Sequence, residues 1–324
     1  MSRKHRAPAP TTPNTALESG LIVGSHGRHC VVESADGSRR ICHPRGKKNQ
    51  AVVGDQVLWL PAPPGQGEEG SIEQVQPRRN LLYRQDEIRS KSFAANIDQV
   101  LILIAAEPVF SESQLARALI AAEAAGIAPI VALNKSDLTQ PFAQAWERLA
   151  PYRAIADEAG QPHYRVLGLN LAAPPEAGQT ALLHALFDGK ATLVLGPSGS
   201  GKSTLINRLI PLAQAATGEI SQALNSGRHT TTTTTWYWLD ATRRSALIDS
   251  PGFQEFGLHH IAPTALAHHM PDIGQHARGC KFYNCTHLHE PGCAVLAEVG
   301  HSVSAQRHRL YADFFQELSA PAMY

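Results

Sequence analysis

The feature that most restricts how this 324-residue chain folds is a glycine-rich loop between an apolar segment and an amphipathic one. The loop, residues 196–203, reads GPSGSGKS; residues 191–195 before it are apolar, and residues 202–210 after it have helical periodicity. Glycines allow successive backbone N–H groups to surround a phosphate, and the start of a helix adds partial positive charge. Strand, loop and helix in this order predict a phosphate-binding loop in an α/β domain.

Two side chains at the end of this loop carry the predicted chemistry. Lys202 is expected to reach the β- and γ-phosphates of a nucleotide, and Ser203 to bind Mg²⁺. Because phosphoryl transfer depends on stabilising charge on the transferred group, Lys202 is also a predicted catalytic residue.

A second motif, NKSD at residues 134–137, indicates which base the nucleotide carries. The Asp137 carboxylate can accept hydrogen bonds from guanine N1–H and the 2-amino group together, whereas adenine would leave it buried and unpaired. Lys135 is expected to lie across the base plane, and Asn134 to tie the loop to its neighbours. An isolated NKxD match is more often a surface turn, but its coexistence with a phosphate loop in one α/β domain favours guanine.

Two further elements are expected to sense the γ-phosphate. Asp249, in the sequence DSPG after an apolar strand, is placed to hold the Mg²⁺ shell, and Gly252 to sense the phosphate through its N–H. Six consecutive threonines, residues 230–235, lie between the phosphate loop and this element. β-propensity alone can explain such a run, but its position favours a switch that binds Mg²⁺ only with GTP bound. Thr231 is the preferred ligand and Thr230 the next, and the register within the run stays open.

The order of these motifs is unusual. Ordinary GTPases run phosphate loop, threonine switch, DxxG and then NKxD, whereas here NKSD comes first and the other three follow. Domain termini often lie close together, so a circular permutation can move the ends of a chain and keep the fold. The order therefore predicts a circularly permuted nucleotide-binding domain.

Near the C-terminus, Cys280, Cys285, His287 and Cys293 fall within fourteen residues. Three thiolates and one imidazole suit a closed tetrahedral Zn²⁺ site, which is structural rather than catalytic. His289 is a possible substitute for His287, and free thiols are the competing interpretation. A helix from about Ser304 to Leu318 is expected to pack on this module. Cys30 and Cys42 are expected to be small core residues, and His259, His260, His268 and His269 have no metal-ligand spacing.

Composition limits the class of protein. Hydrophobic residues make up 43% of the chain, which excludes wholesale disorder, and five cysteines are too few for a secreted disulfide scaffold. The longest apolar run, residues 100–106, is far shorter than the roughly 20 residues of a membrane helix. The basic start lacks the apolar stretch of a secretory signal. We therefore expect a cytoplasmic protein without a membrane partner, and a monomer.

The first part of the chain has a different composition from the rest. Residues 1–19 are rich in Pro, Thr and basic residues, which predicts a disordered basic tail, either solvated or serving as an RNA-binding arm. Residues 20–78 contain short β-branched runs separated by turns, which favours an OB-fold barrel. Its basic residues suit an RNA-facing surface and scattered solubilising charge equally well: Arg39, Arg40, Arg45, Lys47, Lys48, Arg78 and Arg79.

Together these patterns predict an α/β fold with three parts. An N-terminal OB-fold RNA-binding domain, residues 20–78, precedes a circularly permuted P-loop GTPase domain, residues 84–258. A zinc-binding helical module, residues 259–324, follows.

From about residue 20 to 320, the chain resembles the ribosome small-subunit-dependent GTPase A family of circularly permuted GTPases. The resemblance is carried by the barrel, NKSD, GPSGSGKST, GRHTTT, DSPG and the Cys/His cluster in that order. It implies GTP and GDP as ligands with Mg²⁺, one structural Zn²⁺, and binding to the small ribosomal subunit and its rRNA through the barrel and the zinc module. It also implies that the ribosome stimulates hydrolysis. The implied phosphate-binding residues are Gly196, Ser198, Gly199, Ser200, Gly201, Lys202, Ser203 and Thr204.

The chain departs from familiar patterns at two places. Residues 168–171, GLNL, stand where the family usually has a Ser-Ala element beside the base. Phe253 follows Gly252, where Ras-like enzymes place a water-orienting glutamine, although this departure is similar to the family. We therefore expect slow intrinsic turnover, with His229 as the predicted catalytic residue that places water, and Gln254 or a ribosomal group as its rivals.

The leading hypothesis is a GTPase that assists late maturation of the small ribosomal subunit. The alternatives are an RNA-binding adaptor that uses GTP as a conformational ligand without needing hydrolysis, and an ATP-dependent RNA remodelling enzyme. The NKSD motif argues against the last.

Overall fold

The structure is a computed structural model, and it describes residues 17–26, 29–45, 51–62, 69–86, 90–174, 177–210, 233–252 and 256–321. The strands are β1 (Glu18–His26), β2 (His29–Ser34), β3 (Arg39–Pro44), β4 (Gln56–Leu60), β5 (Gly70–Val75), β6 (Leu81–Gln85), β7 (Ser90–Ala95), β8 (Gln99–Ala105), β9 (Ala128–Asn134), β10 (Arg165–Gly168), β11 (Ala191–Leu195), β12 (Thr234–Trp238) and β13 (Ala246–Asp249). The helices are α1 (Glu112–Ala124), α2 (Thr139–Arg148), α3 (Ala150–Arg153), α4 (Ala177–Phe187), α5 (Lys202–Leu209), a 3₁₀ helix (Pro263–His269), α6 (Pro271–Ala277), α7 (Ala294–Glu298) and α8 (Ala305–Ser319).

The first five strands close into a small barrel. They pair in the order β1-β2-β3-β5-β4, and β4 returns to pair with β1. Alternate side chains fill the interior, where Ile22, Trp59 and Ile72 are at most 1% exposed. Cys30 and Cys42 face each other across β2 and β3 and are buried, as expected for small core residues.

Several basic residues of the barrel segment bind to carboxylates. Arg78 donates to both carboxylate oxygens of Asp55, whose side chain is fully buried. Arg39 bonds to the buried Glu33, and Arg45 to Glu73. Part of the charge that the sequence offered as RNA-facing or solubilising therefore holds the barrel together, an interpretation that the sequence analysis did not consider.

A parallel sheet forms the middle of the molecule. Its strands lie in the order β10-β9-β8-β11-β13 and run in the same direction. Strand β8 is buried along its whole length, which agrees with its continuous apolar sequence. Helix α1 begins with Ser111, whose side chain accepts a hydrogen bond from Gln114 N. Since the strands are parallel, the loops that follow β9, β11 and β13 meet at one edge of the sheet.

Barrel and parallel sheet are joined by continuous strand pairing. β12 is antiparallel to β13 on one side and to β1 on the other, so that one sheet of eleven strands includes both parts. The hairpin of β6 and β7 forms a separate two-stranded sheet, and in the chain it lies between the barrel strands and the first strand of the parallel sheet, β8. The sequence predicted neither this continuity nor the hairpin, because strand pairing between distant segments leaves no local pattern.

The C-terminal segment is helical and packs against the parallel-sheet domain. Arg307 on α8 is 1% exposed, donates to both carboxylate oxygens of Asp272 on α6, and lies over the ring of Tyr152 on α3. The predicted helix near Ser304–Leu318 is present, with Ser304 as its N-cap. None of the helices within the described ranges has the length and hydropathy needed to cross a membrane.

Candidate functional site

The glycine-rich loop joins β11 to α5, as the sequence predicted, and two of its glycines are required by close contacts. A Cβ on Gly196 would lie 2.1 Å from the carbonyl oxygen of Leu103 in β8. Gly201 has φ +106°, and a Cβ there would lie 2.3 Å from Asn134 Nδ2. Only glycine fits this spacing and backbone conformation. Ser203 and Thr204, in the first turn of α5, are exposed.

Lys202 lies near the end of the glycine-rich loop, and its side chain folds back over that loop. Its Nζ donates to the carbonyl oxygens of Gly196 at 2.7 Å and Pro197 at 3.0 Å. A Cβ built on Gly252 would lie 3.3 Å from the same nitrogen, so the loop after β13 approaches the lysine closely. Burial lowers the pKa of Lys202, and the nearby Asp249 opposes that shift. A phosphate at the loop can replace the two carbonyl groups as the partner of this ammonium.

Asp249 ends β13 beside the phosphate loop and has the features of a Mg²⁺-shell residue. It is 8% exposed, and its Oδ1 is buried without a hydrogen-bond partner among the described residues. Burial raises the pKa of Asp249 to about 6, although Lys202 acts in the opposite direction. A buried, unpaired carboxylate oxygen is costly unless a cation or donor satisfies it. The donor set therefore fits Mg²⁺, with the exposed Ser203 hydroxyl on the adjacent helix.

The NKSD element lies at the end of β9, next to the phosphate loop. Asn134 is 4% exposed; its Nδ2 donates to Ser200 O at 2.9 Å, and its Oδ1 accepts from Leu171 N at 3.0 Å. These two bonds link the phosphate loop to the segment after β10. Asn134 thus occupies the linking position that the sequence analysis expected.

Asp137 and Lys135 lie on the open side of this element. The Asp137 side chain is exposed, and Lys135 has φ +70°, a left-handed conformation that turns the chain sharply after β9. Leu169, in the GLNL departure, accepts a hydrogen bond from Ser136 N at 3.0 Å. The backbone of this segment therefore stands beside the base-reading element, although its sequence differs from the Ser-Ala pattern.

Arg208 is a positioning residue that the sequence analysis missed. From the last turn of α5, its guanidinium donates to Asn170 O at 3.4 Å and Leu171 O at 3.0 Å, and also to Ala173 O. Arg208 therefore ties the helix of the phosphate loop to the base-side segment. Its position in the amphipathic helix gave a weak signal, because an arginine near a helix C-terminus is usually explained by the helix dipole.

Part of the predicted switch lies outside the described residues, namely His229, Thr230 and Thr231. The end of the threonine run is described: Thr234 and Thr235 belong to β12 and are nearly buried. Thr235 pairs with Asp249 on one side and with Gly24 on the other. The last two threonines are therefore strand residues.

In the C-terminal segment, Cys280, Cys285, His287 and Cys293 converge as the spacing predicted. Their ligand atoms lie within 4.8 Å of one another. The His287 Nδ1 lies 3.4 Å from Cys280 Sγ and 3.5 Å from Cys293 Sγ, and the two sulfurs are 3.8 Å apart. Ligands around a tetrahedral Zn²⁺ are separated by about 3.4–3.8 Å. The exposed His289 is not part of the cluster, so the structure selects His287.

The surroundings of the cluster hold its backbone in place. Glu290 accepts hydrogen bonds from the backbone N–H groups of Thr286 and Leu288. On α8, Tyr311 donates to Thr286 O at 2.9 Å, and a ring nitrogen of His308 lies 2.8 Å from His287 O. Helix α8 therefore packs on the cluster, as expected.

The phosphate loop, the NKSD element and the buried Asp249 meet at one edge of a parallel sheet, in a permuted chain order, beside a five-stranded OB-fold barrel. This combination defines a circularly permuted P-loop GTPase with a C-terminal helical module around a Cys₃His cluster. Two solved structures share the fold: YloQ, titled a circularly permuted GTPase, has a TM-score of 0.66 and 25% identity, with 98% of this chain and 100% of that chain covered. YjeQ from Thermotoga maritima has a TM-score of 0.68 and 26% identity, with 94% and 100% covered.

Sequence comparison identifies the family. A family model described as RsgA GTPase matches residues 75–259. The small ribosomal subunit biogenesis GTPase RsgA of Variovorax paradoxus (strain S110) is 62% identical, with 98% of this chain and 99% of that protein covered. The protein of the same name from Paraburkholderia xenovorans (strain LB400) is 49% identical, with 96% of each covered. The chain belongs to the RsgA GTPase family and is a GTP hydrolase, so the predicted fold class, family and enzyme class are confirmed.

Proposed function

We propose that this GTPase binds the small ribosomal subunit, assists its late maturation, and hydrolyses GTP to GDP and phosphate in response to that binding. The names of the relatives support the ribosomal role. The observation that carries the GTP-binding part of the proposal is the pair of Asn134 hydrogen bonds, which links the NKSD element to the phosphate loop and to the segment after β10. Such a partner implies a cytoplasmic location, and we propose that the protein acts as a monomer.

Within the nucleotide site, we assign guanine recognition to Asp137, with Lys135 across the base. Lys202 and the loop N–H groups bind the phosphates, and Lys202 also stabilises charge on the transferred group. Ser203 and Asp249 would hold Mg²⁺, which would supply positive charge beside the phosphate oxygens. The remaining nucleotide contacts are assigned to Gly196, Ser198, Gly199, Ser200, Gly201, Thr204 and Gly252.

We assign the switch to the segment before β12. Thr231, with Thr230 as its alternative, binds Mg²⁺ only while the γ-phosphate is present, and His229 places the attacking water. Thr235 is held by strand pairing on both sides, and Thr234 pairs with Ser25 of β1. A conformational change in the segment before β12 would therefore act on β12, the strand that joins the nucleotide domain to the barrel.

The Cys₃His cluster is assigned one structural Zn²⁺. Cys280, His287 and Cys293 lie at the separations that tetrahedral zinc requires, Cys285 lies within 4.8 Å of them, and backbone and α8 contacts fix the loop. A site with four protein ligands has no open position for a substrate, so its role is to fold the module.

The loop of the cluster also supports an RNA contact. Tyr283 is fully exposed and Phe282 is 40% exposed, with Lys281 Nζ 5.5 Å from the Phe282 ring centre. Exposed aromatic side chains beside a basic residue suit stacking on unpaired bases together with phosphate attraction. We therefore propose that this loop, residues 281–283, touches ribosomal RNA.

Cosedimentation with purified small subunits tests the ribosomal role. Wild-type protein with a non-hydrolysable GTP analogue should bind the subunit more tightly than with GDP, and Tyr283→Ala should weaken binding about tenfold without changing intrinsic GTP turnover. Val109→Ala, a change at a 73% exposed apolar residue of the GTPase domain, is the matched control. Equal binding with both nucleotides would contradict the switch, and Lys202→Ala with full cellular function would favour the adaptor alternative.

A further inference from the structure

A second group of potential metal ligands lies on the outer surface of the barrel. His29 on β2, His43 on β3 and Glu69 before β5 each offer one ligand atom, and these atoms lie within 4.8 Å of one another. Among the described residues, only this group and the Cys₃His cluster bring three or more such ligands together. Nothing in the GTPase mechanism uses it.

Strand register explains why these three side chains meet. Cys30 on β2 pairs with Cys42 on β3, and both point into the barrel core. Successive side chains of a strand point to opposite faces, so the next pair along, His29 and His43, points outward. Strand β5 runs parallel to β3 with His43 opposite Ser71, which places Glu69 two residues earlier on the same outer face. The barrel framework therefore fixes all three ligands.

The contacts within the group are those of ligands around a common point. The rings of His29 and His43 have centroids 4.5 Å apart, and His43 Nε2 forms a hydrogen bond with Glu69 Oε2. The Nδ1 of His29 is buried, and none of the described residues forms a hydrogen bond with it. The pair of His163 and Glu123 elsewhere in the chain is an ordinary bond at 2.8 Å that belongs to no such group. A third ligand and an unpaired ring nitrogen distinguish the barrel group from that pair.

We propose that His29, His43 and Glu69 bind a divalent transition-metal ion, with Zn²⁺ as the physiological candidate. Two imidazoles and one carboxylate suit Zn²⁺, Ni²⁺ or Cu²⁺ and are a poor set for Mg²⁺ or Ca²⁺, which prefer all-oxygen ligands. Bonds of about 2.1 Å require ligand atoms about 3.4 Å apart, which small side-chain rotations reach from the present separations. The His43 and Glu69 side chains are 43% and 55% exposed, so water completes the coordination.

The ion would connect β2, β3 and the chain entering β5 at one place on the barrel. Its open coordination makes it weaker and more exchangeable than the closed Cys₃His site. Because the ion would bind the folded barrel and not the unfolded chain, metal binding would stabilise the barrel. This inference is independent of the proposed ribosomal function.

Metal content of the full-length protein tests the proposal. After equilibration with micromolar free Zn²⁺, wild-type protein should contain two ions per chain, and His43→Ala and Glu69→Gln should each contain one. In both variants the dissociation constant for the second Zn²⁺ ion should be at least tenfold higher than in wild type. His184→Ala, at an exposed histidine on α4 outside the group, should retain two ions. Retention of the first ion in each variant shows that the C-terminal module has folded, and an unchanged far-UV circular dichroism spectrum shows that the barrel has folded.

X-ray absorption at the zinc edge gives a second readout that does not depend on variants. The ion gained between one and two equivalents should show nitrogen and oxygen neighbours at about 2.0–2.1 Å and no sulfur. Equal zinc content in wild type, His43→Ala and Glu69→Gln would overturn the proposal. Sulfur neighbours for the second ion would overturn it as well.

Discussion

The Cys/His cluster and the nucleotide edge of the parallel sheet are both dense in polar side chains, but their polar atoms are satisfied in different ways. At the cluster, four donors face one another, and Glu290, Tyr311 and His308 bond to the backbone around them. At the nucleotide edge, Asp249 Oδ1 and Ser200 Oγ are buried without hydrogen-bond partners in the part of the chain that the structure describes, and Asp137 is exposed. One region is complete once a single ion binds; the other needs a ligand with several functional groups.

This difference separates a structural site from a functional one. Loss of the metal from the cluster should destabilise the C-terminal module, because the thiolates and the imidazole cannot hold the module together without the ion. Changes at the nucleotide edge should leave the fold intact, or even stabilise it, and should weaken nucleotide binding.

The largest effect is expected at the cluster. Cys293→Ser should lose the zinc ion and destabilise the C-terminal module by more than about 5 kcal/mol, which unfolds it at ordinary temperature. Zinc analysis and hydrogen exchange of α8 measure the two effects. His289→Ala is the matched control and should keep both zinc and protection; zinc retained in Cys293→Ser would contradict the assignment.

At the nucleotide edge, Asp137→Asn should raise the dissociation constant for GTP about a thousandfold, or about 4 kcal/mol, because the amide cannot accept both guanine hydrogen bonds. The denaturation midpoint should not change. Titration with a fluorescent GTP analogue measures this, with Glu147→Gln on α2 as a control for lost exposed charge. A melting temperature that fell together with GTP affinity would show that Asp137 is structural.

Asp249→Asn should stabilise the nucleotide-free protein while impairing Mg²⁺-dependent GTP binding. The folded-state pKa of about 6 lies above the usual value, so burial favours the protonated form. The wild-type carboxyl therefore costs nothing well below pH 4, where it is protonated in both states; its destabilising effect grows as the pH rises from about 4 to about 6 and is constant above that.

The free energy of unfolding of Asp249→Asn should exceed that of wild type by about 3 kcal/mol above pH 7. This difference should shrink as the pH falls toward about 5. Urea unfolding monitored by the fluorescence of the four tryptophans, among them Trp236, which pairs with Ile248 of β13, measures this difference. An unchanged or lower stability at pH 8 would contradict the burial argument.

A smaller effect is expected at Arg208. Arg208→Ala should weaken GTP binding about tenfold, or about 1.4 kcal/mol, because the base-side segment loses its tie to α5. Turnover at saturating GTP should stay within about twofold, since the phosphate loop itself is unchanged. Arg165→Ala, at an exposed arginine of β10, is the matched control and should bind GTP like wild type.

The sequence predicted those features that depend on local pattern. The phosphate loop and the Cys/His spacing encode backbone geometry and ligand chemistry within a few residues, and both appear where they were expected. The pairing of Gly24 with Thr235 could not be read from the sequence, because contacts between segments some two hundred residues apart leave no periodicity. Arg78 was grouped with surface charge for a related reason: its partner Asp55 lies 23 positions earlier in the chain.

The most direct test of the account is GTP hydrolysis by the purified protein with and without small ribosomal subunits, with ATP as the control nucleotide. The account predicts slow turnover alone and a steep rise with subunit concentration, confined to GTP. Turnover that stays constant across the subunit titration, or an equal response with ATP, would contradict it.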